Sequence, residues 1–195
     1  RNHPREHLLG QLVATETEDG KLDDEELLSF CRLLLIAGNE TTTGLITASA
    51  RIFHELPQTL ERLKASPELA PSFVEEALRY YSPFSAMVRR TTKRVEIAGQ
   101  TIAAGELVVP LIASANRDER VFENPDAFQI DRSPNQHLGL GFGIHVCLGA
   151  HLARLEGKIV VEQMAERYGT VTLTAPKKAT VGELGGPKEL AVILR

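Results

Sequence analysis

Between Asp23 and Pro57 the chain carries no proline, and the stretch opens on a start signal: Asp23 can cap a helix while Glu26, three residues on, reaches back in a capping-box arrangement. The pattern predicts a helix of over thirty residues, roughly 45 to 50 Å at about 1.5 Å per residue, well beyond the usual globular length. Its middle, Leu33 to Ala37, is apolar on every side, which predicts burial all round rather than an amphipathic surface helix. The fold class that follows is mainly α, built on a long core helix.

Two shorter helices are predicted after it, one from Pro57 through Leu60, Leu63 and Lys64, the other from about Glu68 to Tyr80 and closed by Pro83. The texture then changes. Val95, Ile97, Thr101 and Ile102 flank Ala98 and Gly99 as a tight hairpin, and Leu107 to Ile112 continues strand-like with Pro110 marking an edge. The loop-rich segment from Asn116 to Val146, with repeated Asn, Asp, Pro and Gly, is too long for a plain connection and predicts a binding role. A last helix is expected from Cys147 to about Tyr168, with Leu148, Leu152, Leu155 and Ile159 at helical spacing. Short strands at Val171–Leu173 and Leu190–Leu194 complete a small antiparallel β-sheet.

Composition narrows the function. With 43% hydrophobic and 25% charged residues, 195 residues can bury one sizeable core. A net charge of -4 lacks the basic excess that phosphate binding needs, so nucleic acid is not an expected partner. The most hydrophobic run, Leu33 to Ala37, passes into Gly38, Asn39 and Glu40, too short to span a membrane, and Arg1 to Gly10 lacks the apolar centre of a signal peptide. Two cysteines, Cys31 and Cys147, have no paired spacing. A reducing, cytoplasmic setting is expected.

The segment His137 to Gly149, HLGLGFGIHVCLG, carries the most chemistry. Gly139, Gly141 and Gly143 alternate, and His145 and Cys147 stand just before a helix. Such glycines let main chain approach a flat ligand and adopt positive φ, and amides at the helix start would stabilise a thiolate. An anionic sulfur is what ferric haem needs as an axial donor. Taken singly, a cysteine such as Cys147 reads more often as a small buried hydrophobe than as a ligand, and its neighbours change that. A dinucleotide loop fails, because Ile144 or Val146 falls where its third glycine belongs. His145, Cys147 and His151 could compose a zinc site, although no second ligand pair has the usual spacing.

The run HLGLGFGIHVCLGAHLARLE resembles the cysteine-loop signature of cytochromes P-450, F-G-x-G-x-[HR]-x-C-x-G, in a bacterial, soluble form. Two departures stand out: Leu140 where the family usually has phenylalanine, and His151 where proline is common. The resemblance implies haem b (iron protoporphyrin IX) ligated through iron by Cys147, with Leu140, Gly141, His145 and Gly149 in the cofactor loop. Glu76, Ala77, Leu78 and Arg79 match the family's E-x-x-R, and spacing of three puts Glu76 and Arg79 on one helix face. With Arg132, after Asn124, Pro125 and Phe128, they resemble a buried network that locks the cysteine loop. Alone, an E-x-x-R is most often a solvated pair.

Ala37, Gly38, Asn39, Glu40, Thr41 and Thr42 resemble the family's [AG]-G-x-[DE]-T-[TS] oxygen-activation motif. In that reading Gly38 leaves room for oxygen beside Ala37, Thr41 serves oxygen activation, and Glu40 with water relays protons. A threonine bonded back to its own helix is the plainer alternative. Arg89 aligns with a family arginine that, with His145, pairs with haem propionates. Phe84, Ser85, Ala86, Met87 and Val88 match a substrate-contacting segment, as does the turn near Gly185 and Gly186. These residues are apolar or small and suit a hydrophobic substrate.

The resemblance implies a haem-thiolate monooxygenase, or a fragment of one, using O2 and electrons from a ferredoxin or flavodoxin. Residues 1–195 correspond to the haem-binding C-terminal portion of that fold. Its N-terminal half is not represented, so apolar flanks on the long helix are expected to be exposed, or covered by self-association or by that half. The rival classes are a non-catalytic haem-binding or sensor module and a zinc-containing or metal-free interaction protein.

Overall fold

The computed structural model describes residues 7–14, 16–17, 20–174 and 190–195, and the Gly185–Gly186 turn lies outside them. The chain forms two compact units, 1–40 and 41–195. The first contains helix α1 (Leu8–Ala14), a two-residue antiparallel ladder of β1 (Glu16–Thr17) with β2 (Gly20–Lys21), and the start of α2 (Asp24–Glu55).

Helix α2 has 32 residues, and local chemistry explains both of its ends. Asp23 Oδ1 accepts the Glu26 N–H at 2.8 Å while Glu26 Oε2 accepts the Asp23 N–H at 2.9 Å, the reciprocal capping box. Asp24, Glu25 and Glu26 set negative charge against the positive end of the helix. Pro57 stops α2 and begins α3 (Pro57–Ala65) at a position where its missing N–H does no harm. Burial in α2 is confined to Leu45, Ala48, Ser49, Ala50, Ile52 and Phe53. Leu33, Leu35 and Ile36 are more than half exposed, which corrects the expectation of all-round burial at Leu33–Ala37. Apolar surface around a whole turn needs cover on every side, and the described residues do not supply it there.

Within the second unit, a 3-10 turn at Pro67–Leu69 leads into α4 (Ala70–Tyr81), which ends where Ser82 turns left-handed (φ 36°) before Pro83. Helix α5 (Ile112–Ala115) is short, and α6 (Ala150–Arg167) follows the cysteine loop. The strands form separate antiparallel pairs: β3 (Arg89–Arg90) with β6 (Leu107–Val108), β4 (Val95–Ile97) with β5 (Gln100–Ile102), and β7 (Val171–Leu173) with β8 (Val192–Leu194). Ala98 and Gly99 both take positive φ, the turn that matches the twist of a two-residue hairpin. Strand β6 stops before Pro110, and Ile112 begins α5 rather than extending the strand.

The core joins Leu45, Ile52 and Phe53 of α2 to Leu60 and Leu63 of α3, Phe73, Val74, Ala77 and Leu78 of α4, and Val161 and Ala165 of α6. Phe53 stacks on Phe73 with centroids 5.1 Å apart, and Phe128 meets Phe73 edge-on at 5.4 Å. Helix α6 packs so closely that a Cβ on Gly157 would stand 2.8 Å from Leu45 and 3.2 Å from Val74. The large residues Leu148, Leu152, Leu155 and Ile159 face outward instead. Small residues let α6 approach the other helices, and the larger stripe stays exposed.

Candidate functional site

Cys147 ends a loop that folds back on itself just ahead of α6. The Gly141 N–H closes on the Leu138 carbonyl at 2.9 Å, the Cys147 N–H on the Leu140 carbonyl at 2.8 Å, and the Ala150 N–H on the Cys147 carbonyl at 3.1 Å. Gly141 (φ 78°) and Gly143 (φ 61°) hold left-handed conformations, and a Cβ on Gly141 would run into the His145 carbonyl oxygen. Between them and the sulfur, Gly143–His145 makes one 3-10 turn. Gly149 caps α6, so Cys147 lies beside the positive end of that helix.

Cys147 is exposed and forms no disulfide. Around it Phe142 is 81% exposed, Ile144 97% and Leu148 81%, and Val146 is also exposed. A soft sulfur donor among solvent-facing apolar side chains, on a loop flattened by glycine, fits a flat apolar macrocycle with a metal at its centre. Leu140, where an aromatic ring is usual, packs partly buried against the core, while its carbonyl anchors Cys147. His145 is exposed. No three His, Cys, Asp or Glu side chains gather as metal ligands among the described residues, so His145, Cys147 and His151 do not converge as a zinc site would require.

Behind the loop lies a buried ionic network. Glu76 and Arg79 are both 0% exposed, and Arg79 donates from Nε and Nη2 to the two carboxylate oxygens at 2.8 Å each. Its remaining donors reach the carbonyls of Asn116 (2.9 Å), Pro125 (2.7 Å) and Ala127 (3.0 Å), so the whole guanidinium fork is used. Arg132 Nε adds a contact to Glu76 at 3.0 Å and binds the Glu123, Asn124 and Ala127 carbonyls through its other nitrogens. The Gln129 N–H and the Asn135 amide also donate to Glu76. Glu76 and Arg79 together thus gather the segment 116–135, and Asn116 Oδ1 carries the connection forward by accepting the Leu138 N–H at 2.8 Å.

The other sequence candidates fall on three segments. Ala37, Gly38, Glu40 and Thr41 share adjoining turns of α2, with Ala37 and Gly38 exposed and Glu40 and Thr41 half-buried. Phe84 to Val88 run extended beside the chain after β6: the Met87 N–H binds the Pro110 carbonyl, and the Ser85 carbonyl accepts the Ala113 N–H. Arg89 opens β3, half-buried, with Nη1 on the Val88 carbonyl at 2.9 Å.

Sequence reasoning missed Glu75, His137 and Arg154, which meet beside the loop. Burial pushes the Glu75 carboxyl up, but hydrogen bonds from His137 and Arg154 outweigh it and hold the group at about 2. The available signal was slight: a second glutamate next to the E-x-x-R, a histidine heading the glycine run, and an arginine one turn into the following helix.

Helices packed behind a glycine loop that presents one exposed cysteine at a helix start, braced by a buried Glu–Arg–Arg network, make up the candidate site. The sequence profile of the cytochrome P450 family matches residues 65–180, and the chain belongs to that family. It is 47% identical over 169 residues to the putative cytochrome P450 YjiB of Bacillus subtilis, covering 86% of this chain and 42% of the relative. The structure of CYP109E1 from Bacillus megaterium in complex with testosterone superposes with a TM-score of 0.85 at 44% identity, covering 93% of this chain and 51% of that one. P450BioI in complex with acyl carrier protein ligated to hexadec-9Z-enoic acid superposes at 0.91 and 39% identity, covering all of this chain and 50% of that one. The chain spans about half the length of the relatives it matches.

Proposed function

We propose that this chain is the haem-binding part of a haem-thiolate monooxygenase that oxidises a hydrophobic small molecule with O2, with Cys147 as the residue that would hold the iron. The carrying observation is Cys147 itself, exposed among apolar side chains on a glycine-shaped loop at the start of α6. Haem b, when bound, supplies the binding and reductive activation of O2.

The chain's own residues do the rest. Gly141 and Gly149 would leave room for the macrocycle beside the loop, and the Leu140 carbonyl fixes the Cys147 amide. Arg89 and His145 are donors suited to haem propionates. Gly38, beside Ala37, leaves space for a diatomic ligand. With haem bound, Thr41 would offer a hydrogen bond on the O2-binding side and the Glu40 carboxylate would relay protons from water. Glu76, Arg79 and Arg132 fix the geometry behind the loop. Phe84, Ser85, Ala86, Met87 and Val88 contact the substrate. Relatives crystallised with testosterone and with a fatty acyl group on its carrier support an apolar substrate, and a ferredoxin or flavodoxin supplies the electrons.

The test is an optical spectrum of the haem-supplemented chain, reduced and exposed to carbon monoxide. The wild type is expected to give the red-shifted thiolate band and Cys147→Ser to lose it, because a serine alcohol is a far poorer anion at neutral pH. A Cys147→Ser protein that keeps the thiolate band, or wild type that binds zinc and no iron, overturns the reading.

A further inference from the structure

Adjacent carboxylates on α4 serve different parts of the molecule. Glu76 binds Gln129, Arg132 and Asn135, whereas Glu75 grips both flanks of the cysteine loop. Its Oε2 lies 3.2 Å from His137 Nε2, and its two oxygens accept Arg154 Nε at 2.7 Å and Nη2 at 2.9 Å. His137 precedes Cys147 and Arg154 follows it, so a single carboxylate ties the chain entering the loop to the helix leaving it.

The His137 ring is nearly enclosed, with 3% of its side chain exposed. Its Nδ1 accepts the Gly139 N–H at 3.0 Å. A ring nitrogen that accepts from a backbone amide carries no proton, so the hydrogen-bond pattern assigns the tautomer with hydrogen on Nε2, donated to Glu75. The fit at Gly139 is close, because a Cβ there would stand 2.9 Å from the Leu78 carbonyl and 3.2 Å from His137 Nδ1. From Gly139 the backbone turns through Leu138–Gly141, and the Leu140 carbonyl of that turn accepts the Cys147 N–H.

We propose that Glu75 and His137 are positioning residues for Cys147: Glu75 sets the His137 tautomer, His137 fixes Gly139, and the turn so fixed presents the carbonyl that holds the Cys147 amide. The proposal rests on the haem-thiolate reading only for its consequence at the metal; the clasp itself belongs to the protein.

Amide hydrogen exchange on the full 195-residue chain, with nitrogen shifts of the His137 ring, tests it. Wild type is expected to show the Nε2–H tautomer. His137→Phe fills the space without either hydrogen bond, and exchange at Gly139 and Cys147 is expected to rise roughly tenfold, the worth of one buried hydrogen bond. Core amides such as Val161 should be unmoved, which separates the clasp from general destabilisation. His137→Asn, whose Oδ1 can stand where Nδ1 stands, is expected to restore protection at Gly139. Should His137→Phe not fold, Glu75→Gln is read in the same way, with loss of the fixed tautomer as the expected result. With haem added, the disrupted variants are expected to show a smaller share of the thiolate-type carbon monoxide spectrum. Exchange at Gly139 and Cys147 within about twofold of wild type in the folded variants, or a His137 ring protonated on Nδ1 alone, overturns the proposal. Absence of any thiolate band in wild type refutes the haem-thiolate reading instead, and the exchange result still decides the clasp.

Discussion

Replacing Arg79 by lysine keeps the charge and nearly the length, yet the structure makes it a severe change. Arg79 makes five hydrogen bonds, to Glu76 and to the carbonyls of Asn116, Pro125 and Ala127. A lysine ammonium has three donors radiating from one point, so at least two of these partnerships are lost at a position that is 0% exposed. Because the ammonium still supplies a charge beside the groups it no longer reaches, two of them at the lower part of the about 1–3 kcal/mol range for a buried unsatisfied group put the cost of Arg79→Lys at about 2–4 kcal/mol. Arg79→Leu goes further, because Glu76 then keeps only Arg132 as a cation, and breaking a buried pair costs about 3–5 kcal/mol. Against a total stability of about 5–15 kcal/mol, either loss is large. Urea unfolding followed by far-UV circular dichroism measures both. A cost below about 0.5 kcal/mol for Arg79→Lys would refute the reasoning. The exposed pair Arg62–Asp131, with side chains 50% and 59% exposed, serves as control, and its removal should change little.

Gly157→Ala gains helix propensity but forces a Cβ against Leu45 and Val74, so a net loss of about 1–2 kcal/mol is expected; a raised melting temperature would contradict the close three-helix contact. The Glu75 carboxyl is held below its ordinary value, so its contribution to stability is complete above about pH 4.5 and is lost as pH falls from there toward about 2. Glu75→Gln should flatten that part of the unfolding free energy against pH profile, and an unchanged acid limb would show that the clasp carries no such linkage.

What the sequence made legible was what local chemistry decides. The capping box at Asp23 and Glu26, the stop at Pro57, and the Ala98–Gly99 turn each depend on neighbours a few residues away, and each forms as expected. The E-x-x-R spacing placed Glu76 and Arg79 on one face of a helix, but the spacing alone describes a solvated pair equally well. Its burial depends on carbonyls some forty residues later in the chain, at Asn116, Pro125 and Ala127. The Glu75–His137 contact bridges 62 positions and rests on which way one ring nitrogen faces, and no periodicity encodes that.

Helix α6 shows the same limit in its packing. Leu148, Leu152, Leu155 and Ile159 establish the helix by their spacing, yet they are the residues left exposed, while Ala150, Gly157, Val161 and Ala165 are buried. A hydrophobic stripe says that a face is apolar, not which neighbour covers it. The small residues carry the other half of the information: they mark where helices come close, as Gly157 does against Leu45 and Val74. A helix with a small buried face and a large exposed one has two apolar surfaces, which is why its amphipathic pattern reads weakly. The same reasoning applies to α2, whose apolar turn at Leu33–Ala37 is exposed except for the half-buried Leu34, while small residues at Ala48, Ser49 and Ala50 accompany Leu45, Ile52 and Phe53 in the buried part. In both helices, large side chains reveal the periodicity and small ones reveal the contact.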